Sequence, residues 1–145
     1  MKRAAVAFIL FFAFCGFLDS FYIARNEANN MPLFCNITGL SGCTIVAASQ
    51  YSHFFGIPIA EYGMLFYASI FFAAVLELAL FDRLLRRILQ IISYVGIAAS
   101  VYFTFLEVFV IHALCIYCVV SALITLLIFI TASLLEPVKK VVQQV

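Results

Sequence analysis

Four of the five cysteines in this chain fall into two close pairs, Cys35 with Cys43 and Cys115 with Cys118, the second pair in the string Cys115-Ile116-Tyr117-Cys118. A Cys-x-x-Cys makes a tight, reducible ring, and its thiols exchange readily with a second pair that can reach them. Held on one side of a membrane, the two pairs form a two-stage electron relay. Two other arrangements use the same residues: a pair of static disulfides stapling a small bundle, or one zinc ion held by four thiolates. Nothing polar or His-rich surrounds the four positions to favour zinc, and a static bond inside one helical turn is the less natural use of that spacing.

The rest of the chain must bring these pairs together. With 145 residues, 67% of them hydrophobic and 10% charged, and a mean hydropathy of +1.19, the sequence reads as an all-α integral membrane protein. A span takes about 20 apolar residues, so the length holds about four of them and modest loops, in a single domain covering residues 1–145. A net charge of +1 without a basic, aromatic-laced run leaves no footprint for nucleic acid. Ala4 to Ala24 is longer than the core of a secretory signal and leads to no small-x-small cleavage site, so it is expected to be the first span.

Residues 25–60 are polar and rich in turn formers: the run Arg25 to Asn30, Pro32, Asn36, Thr38-Gly39 and Ser41-Gly42. Within this loop Ala47, Tyr51, Phe54 and Phe55 recur at helical spacing, which predicts a short amphipathic helix over Cys43–Phe55, ended by Gly56-Ile57-Pro58. A second span follows over about 61–80, then the charged turn Phe81 to Arg87. Residues 88–135 as one helix would be about 72 Å long, too much for a single crossing. The break is expected near Ile111-His112-Ala113-Leu114, giving spans over about 88–110 and 114–135.

Lys and Arg in short loops set orientation. Lys2, Arg3, Arg83, Arg86, Arg87, Lys139 and Lys140 fall on one side of a four-span chain and Arg25 on the other. Both termini are therefore expected in the cytoplasm, and the 25–60 loop with all four paired cysteines outside, where disulfides persist. Cys115 then stands at the start of the fourth helix, whose free N–H groups stabilise a thiolate, and is the expected exchange thiol. Cys118 lies a turn deeper, where a lipid-soluble acceptor would meet it. Cys15, inside the first span, reads as a packing residue.

On the third span Ser93, Gly96, Ser100, Thr104 and Glu107 form one small and weakly polar stripe, and on the fourth Cys118, Ala122 and Thr125 form a matching seam. Four acidic residues sit in or near spans. Glu107 is a candidate proton relay on the cysteine side. Asp19 and Glu61 are expected to cap or to pair, for instance with Arg25, and Glu77 to make a surface ion pair with the nearby arginines.

This arrangement resembles the vitamin K epoxide reductase family, in particular its prokaryotic quinone-linked branch. The matching residues are Cys35-x7-Cys43, Ser49 six positions after Cys43, the run Gly56-Ile57-Pro58-Ile59-Ala60-Glu61-Tyr62-Gly63, and Ser100-Val101-Tyr102 ahead of Cys115-Ile116-Tyr117-Cys118. They run through nearly the whole chain in the family's order, loop pair first. The resemblance implies a four-helix bundle around a quinone (ubiquinone, menaquinone or a relative), with Cys118 beside the ring and Ser49 lining the pocket. It also implies that Cys115 exchanges with a loop pair reduced by a thioredoxin-fold protein, in the cell membrane of a prokaryote. Ala122 stands where the vertebrate enzymes carry a tyrosine, so vitamin K epoxide is not the expected substrate. The fused thioredoxin-like domain of many bacterial members is missing from these residues, so the partner is expected to be a separate extracytoplasmic protein.

Overall fold

A computed structural model describes residues 2–35, 42–80 and 82–135. Asn36, Thr38-Gly39, Ser41, Phe81, Lys139 and Lys140, all used above, lie outside the described residues. The elements are α1 (Lys2–Ala28), α2 (Cys43–Ala47), β1 (His53–Phe54), β2 (Ile57–Pro58), α3 (Ile59–Leu80), α4 (Arg83–Phe105) and α5 (Ile116–Leu135), with a π-helical turn (Leu106–Ile111) extending α4. Four helices are long and apolar enough to cross a membrane: Arg3–Ala28, Ile59–Leu80, Arg83–Ile111 and Ile116–Leu135. The expected four-helix bundle is the fold.

The helices meet through rows spaced by three and four residues. Val6, Ile9 and Ala13 of α1, Tyr67, Ile70 and Ala74 of α3, Leu89 of α4 and Ile124, Ile128 and Ala132 of α5 form one buried core. Large apolar side chains such as Phe11, Leu65, Phe72 and Leu134 point outward, as a bundle bathed in hydrocarbon allows. Cys15 packs at the edge of the core. Gly96 marks a close approach, because a Cβ there would meet the ring of Phe66 and, at 2.9 Å, the methyl of Thr125. At Gly96 the small-residue stripe of α4 thus meets both α3 and the α5 seam.

α1 runs four residues past the expected end of the first span, to Ala28, and two further boundaries differ for local reasons. The third span starts five residues early: the side chain of Asp82 accepts the N–H of Leu84 at 3.0 Å, an N-cap that draws Arg83, Arg86 and Arg87 into the first turns of α4. Arg86 reaches back to Glu77 at 2.6 Å, and this ion pair is not on the surface, since Glu77 is 2% exposed. The loop helix ends at Ala47 instead of Phe55. Past it, Ser49 and Ser52 turn their hydroxyls onto backbone carbonyls, which competes with helix continuation. Phe55 and Gly56 both take positive φ, at 52° and 78°, and so close the two-residue hairpin between β1 and β2. The reversal before α5 falls where expected, and without Gly or Pro it is His112 that adopts the left-handed conformation (φ 54°).

Candidate redox site

Cys43 opens α2 and is fully buried, and it is joined by a disulfide to the half-buried Cys35, with 6.2 Å between their Cα atoms. Two clamps hold this pair against the start of α5. Gly42 N–H donates to Leu114 O at 3.0 Å, and Tyr117 Oη donates to Phe34 O at 2.8 Å. The first clamp needs glycine: a Cβ on residue 42 would lie 2.7 Å from Ala113 Cβ and 3.0 Å from the Leu114 backbone. Held in this way, the sulfurs of Cys35, Cys43 and Cys115 all lie within 4.8 Å of one another. A set of three sulfurs so close is also a geometry a soft cation would accept, but here two of them are bonded to each other, and Cys118 stands outside the set.

Cys115 occupies the N-cap of α5. Its carbonyl accepts Val119 N–H at 3.1 Å, and its sulfur accepts the N–H groups of Tyr117 and Cys118. The thiol is held below the usual cysteine range, first by the hydrogen bond from the Cys118 thiol and then by those two amides, against opposition from burial and from the charge of Glu107. The expectation that Cys115 carries the activated sulfur therefore has a specific geometry behind it. Glu107 is buried on the π-helical turn, and its Oε2 accepts the N–H of Cys115 at 3.2 Å. π-turns of this kind recur at functional sites because the extra residue re-aims a side chain.

Beneath the sulfurs lies a cavity of about 610 Å³, bounded by all four long helices and the loop. Its wall includes Cys43, Cys115, Cys118, Ser49 and Glu107, together with Gly96, Ser100 and Thr104 of the α4 stripe and Ala122 and Thr125 of the α5 seam. Ser49 is on the wall, with its hydroxyl donating to Val46 O at 2.7 Å. Ser93 is buried within the bundle and does not line the cavity. Asp19 does line it, but does not make the expected pair with Arg25; its Oδ2 is out of water with no hydrogen-bond partner among the described residues. Glu61 is exposed and shares a shallow outer groove with Arg25.

The sequence reading missed several members of this site. Tyr67, 1% exposed, anchors the cavity to α5 through Ser121 Oγ (2.7 Å), Thr125 Oγ1 (2.9 Å) and Ser121 O (2.9 Å). Its signal was a tyrosine in the middle of a span, where a buried hydroxyl must find a partner. His53 Nε2 lies 3.3 Å from Glu27 Oε1, tying the hairpin to the end of α1 at the cavity wall. Ser52 gives its hydroxyl hydrogen to Ala47 O or Ser49 O, so its oxygen accepts from His53 Nδ1 at 2.8 Å.

Four apolar spans enclosing a cavity that ends at a disulfide and two further cysteines define a multi-pass membrane protein with redox-type thiols. The model of the vitamin K epoxide reductase family matches residues 7–133, and the chain belongs to that family. Membership makes it an oxidoreductase in general terms. A search of curated proteins finds no match.

Proposed function

We propose that this chain is a membrane thiol:quinone oxidoreductase that supports disulfide formation outside the cytoplasm. The observation that carries the reading is the proximity of three sulfurs, Cys35, Cys43 and Cys115 within 4.8 Å of one another, above a cavity walled by Cys118. The donor is a separate thioredoxin-fold protein on the side of the loop. The basic residues at the opposite ends of the helices support a cytoplasmic location for both termini, and a cell membrane of a prokaryote is the matching compartment.

The order of exchange follows from burial. Cys35 is the more exposed loop sulfur, so the partner's thiolate attacks there, forms a mixed disulfide and releases Cys43; the partner's second thiol then resolves it, leaving the partner oxidised and the loop pair reduced. Cys43, buried against Cys115, attacks Cys115 of the Cys115–Cys118 disulfide and releases the Cys118 thiolate. Attack of Cys35 on Cys43 restores the loop disulfide and expels Cys115, whose lowered thiol pKa makes it a good leaving group. The outcome is the state described here, with the loop pair bonded and Cys115 and Cys118 free.

The residues of the cavity fit a quinone: a largely apolar chamber of about 610 Å³ with a few convergent polar groups and the two free thiols of Cys115 and Cys118. When bound, a quinone supplies a two-electron, two-proton acceptor. Cys118 presents the reducing sulfur to the chamber, Glu107 holds the cysteine turn in place, and the helices exclude water.

Quinone reduction by purified protein in detergent, with dithiothreitol as donor, tests the reading. Turnover is expected in wild type, absent in Cys118→Ser, and partly retained in Cys35→Ser because a small donor bypasses the loop. No turnover by folded wild type with ubiquinone or menaquinone would contradict it.

A further inference from the structure

The polar groups around the cavity differ in what they have left to offer. Ser49 gives its hydroxyl hydrogen to Val46 O, Tyr117 to Phe34 O, Tyr67 and Thr125 to Ser121 O, and Glu107 accepts the N–H of Cys115. Asp19 is different. Its Oδ2 is shielded from water, no hydrogen bond reaches it, and no basic side chain among the described residues pairs with it, yet the residue lines the same cavity as Cys118. Leaving a buried polar atom unsatisfied costs about 1–3 kcal/mol. Tyr67 and Tyr117 line the same cavity, the first bonded to α5 at Ser121 and Thr125 and the second next to Cys118 in the chain. The carboxyl therefore lies on the wall of the cavity that Cys118 also lines, with no partner for its Oδ2 among the described residues.

We propose that Asp19, in its acid form, donates a hydrogen bond and then a proton to a carbonyl oxygen of the quinone held in the cavity. The inference rests on the quinone reading above and adds to it the group that recognises the acceptor. The balance closes: Cys115 and Cys118 give two electrons as their S–S bond forms, and one of their two thiol protons goes to the acceptor. Asp19 supplies the acceptor's other proton and takes back the remaining thiol proton, so that two thiols and a quinone become a disulfide and a quinol with Asp19 unchanged.

The test uses the intact protein in detergent with ubiquinone-1 or menadione as probe. Equilibrium dialysis measures binding, and infrared difference spectroscopy follows the carbonyl stretch of a carboxylic acid when the quinone is added. Wild type should bind and show a shifted acid band that Asp19→Asn lacks. Asp19→Asn keeps an N–H donor and should still bind, while turning over more slowly. Asp19→Leu should lose about tenfold in affinity, the size of one hydrogen bond, with thermal stability unchanged or raised because an unsatisfied polar atom is gone. Two results would overturn the inference alone: Asp19→Leu binding as tightly as wild type, or an acid band that does not depend on Asp19. If wild type binds neither quinone, the quinone reading fails and this inference with it.

Discussion

A single cysteine shows how the site is tuned. Cys115 caps α5 with its own sulfur, so the amides that stabilise a thiolate are those of Tyr117 and Cys118, and the first contributor is the thiol of Cys118 itself. The sign of the consequence is fixed. A lowered thiol pKa leaves thiolate present at pH values where an ordinary cysteine, titrating near about 8.5, is protonated. Alkylation of Cys115 followed by mass spectrometry should show a pH midpoint below that value in wild type, rising toward it in Cys118→Ala, where the largest stabilising hydrogen bond is gone. A midpoint indifferent to Cys118 would contradict the assignment. The four sulfurs were legible as a redox set because Cys-x-x-Cys spacing is local. The absence of the Asp19–Arg25 pair was not: α1 is apolar on nearly every side, and nothing in such a helix says which way one carboxylate points.

Among the elements, the loop has the hardest task, holding a disulfide against the tip of another helix. Gly42 and Tyr117 do this from the two ends of the Cys35–Cys43 segment. A Gly42→Val substitution places its Cβ against Ala113 and Leu114 and should weaken docking by about 1–3 kcal/mol. Partner-driven turnover should then fall by about five- to a hundredfold, while dithiothreitol-driven turnover, which needs no loop, persists. Parallel loss of both would mean that Gly42 supports the whole fold. Such clamps could not be read from the sequence, since Tyr117 and Phe34 are 83 residues apart. The hairpin escaped for another reason: Phe54 and Phe55 fit an amphipathic helix by spacing, and the Ser49 and Ser52 hydroxyls on backbone carbonyls, with the left-handed backbone at Phe55 and Gly56, separate the two outcomes. The early start of α4 was obscured because its arginines read as loop, although long cationic side chains sit comfortably on the first turns of a span.

At the scale of the molecule, hydropathy counted the spans correctly, and the basic residues forecast that the cysteine pairs would share one end of the bundle. It is the bundle that turns four separate positions into a path: α5 carries Cys115 and Cys118, the π-helical turn of α4 brings Glu107 beneath them, the loop lays Cys35 and Cys43 across the top, and the cavity begins at Cys118. The central claim, that electrons pass from Cys43 to Cys115 and on to Cys118, is tested most directly by trapping. Purified Cys118→Ser protein, cycled with reduced thioredoxin-fold donor and oxidant, then alkylated and mapped by mass spectrometry, should contain a Cys43–Cys115 disulfide with Cys35 free, formed when the Cys115 thiolate attacks Cys43 of the loop disulfide in the reverse of the last exchange, with no Cys118 sulfur left to displace Cys43 from Cys115. A loop disulfide that stays closed, with Cys115 never found bonded to either loop cysteine, would contradict the relay.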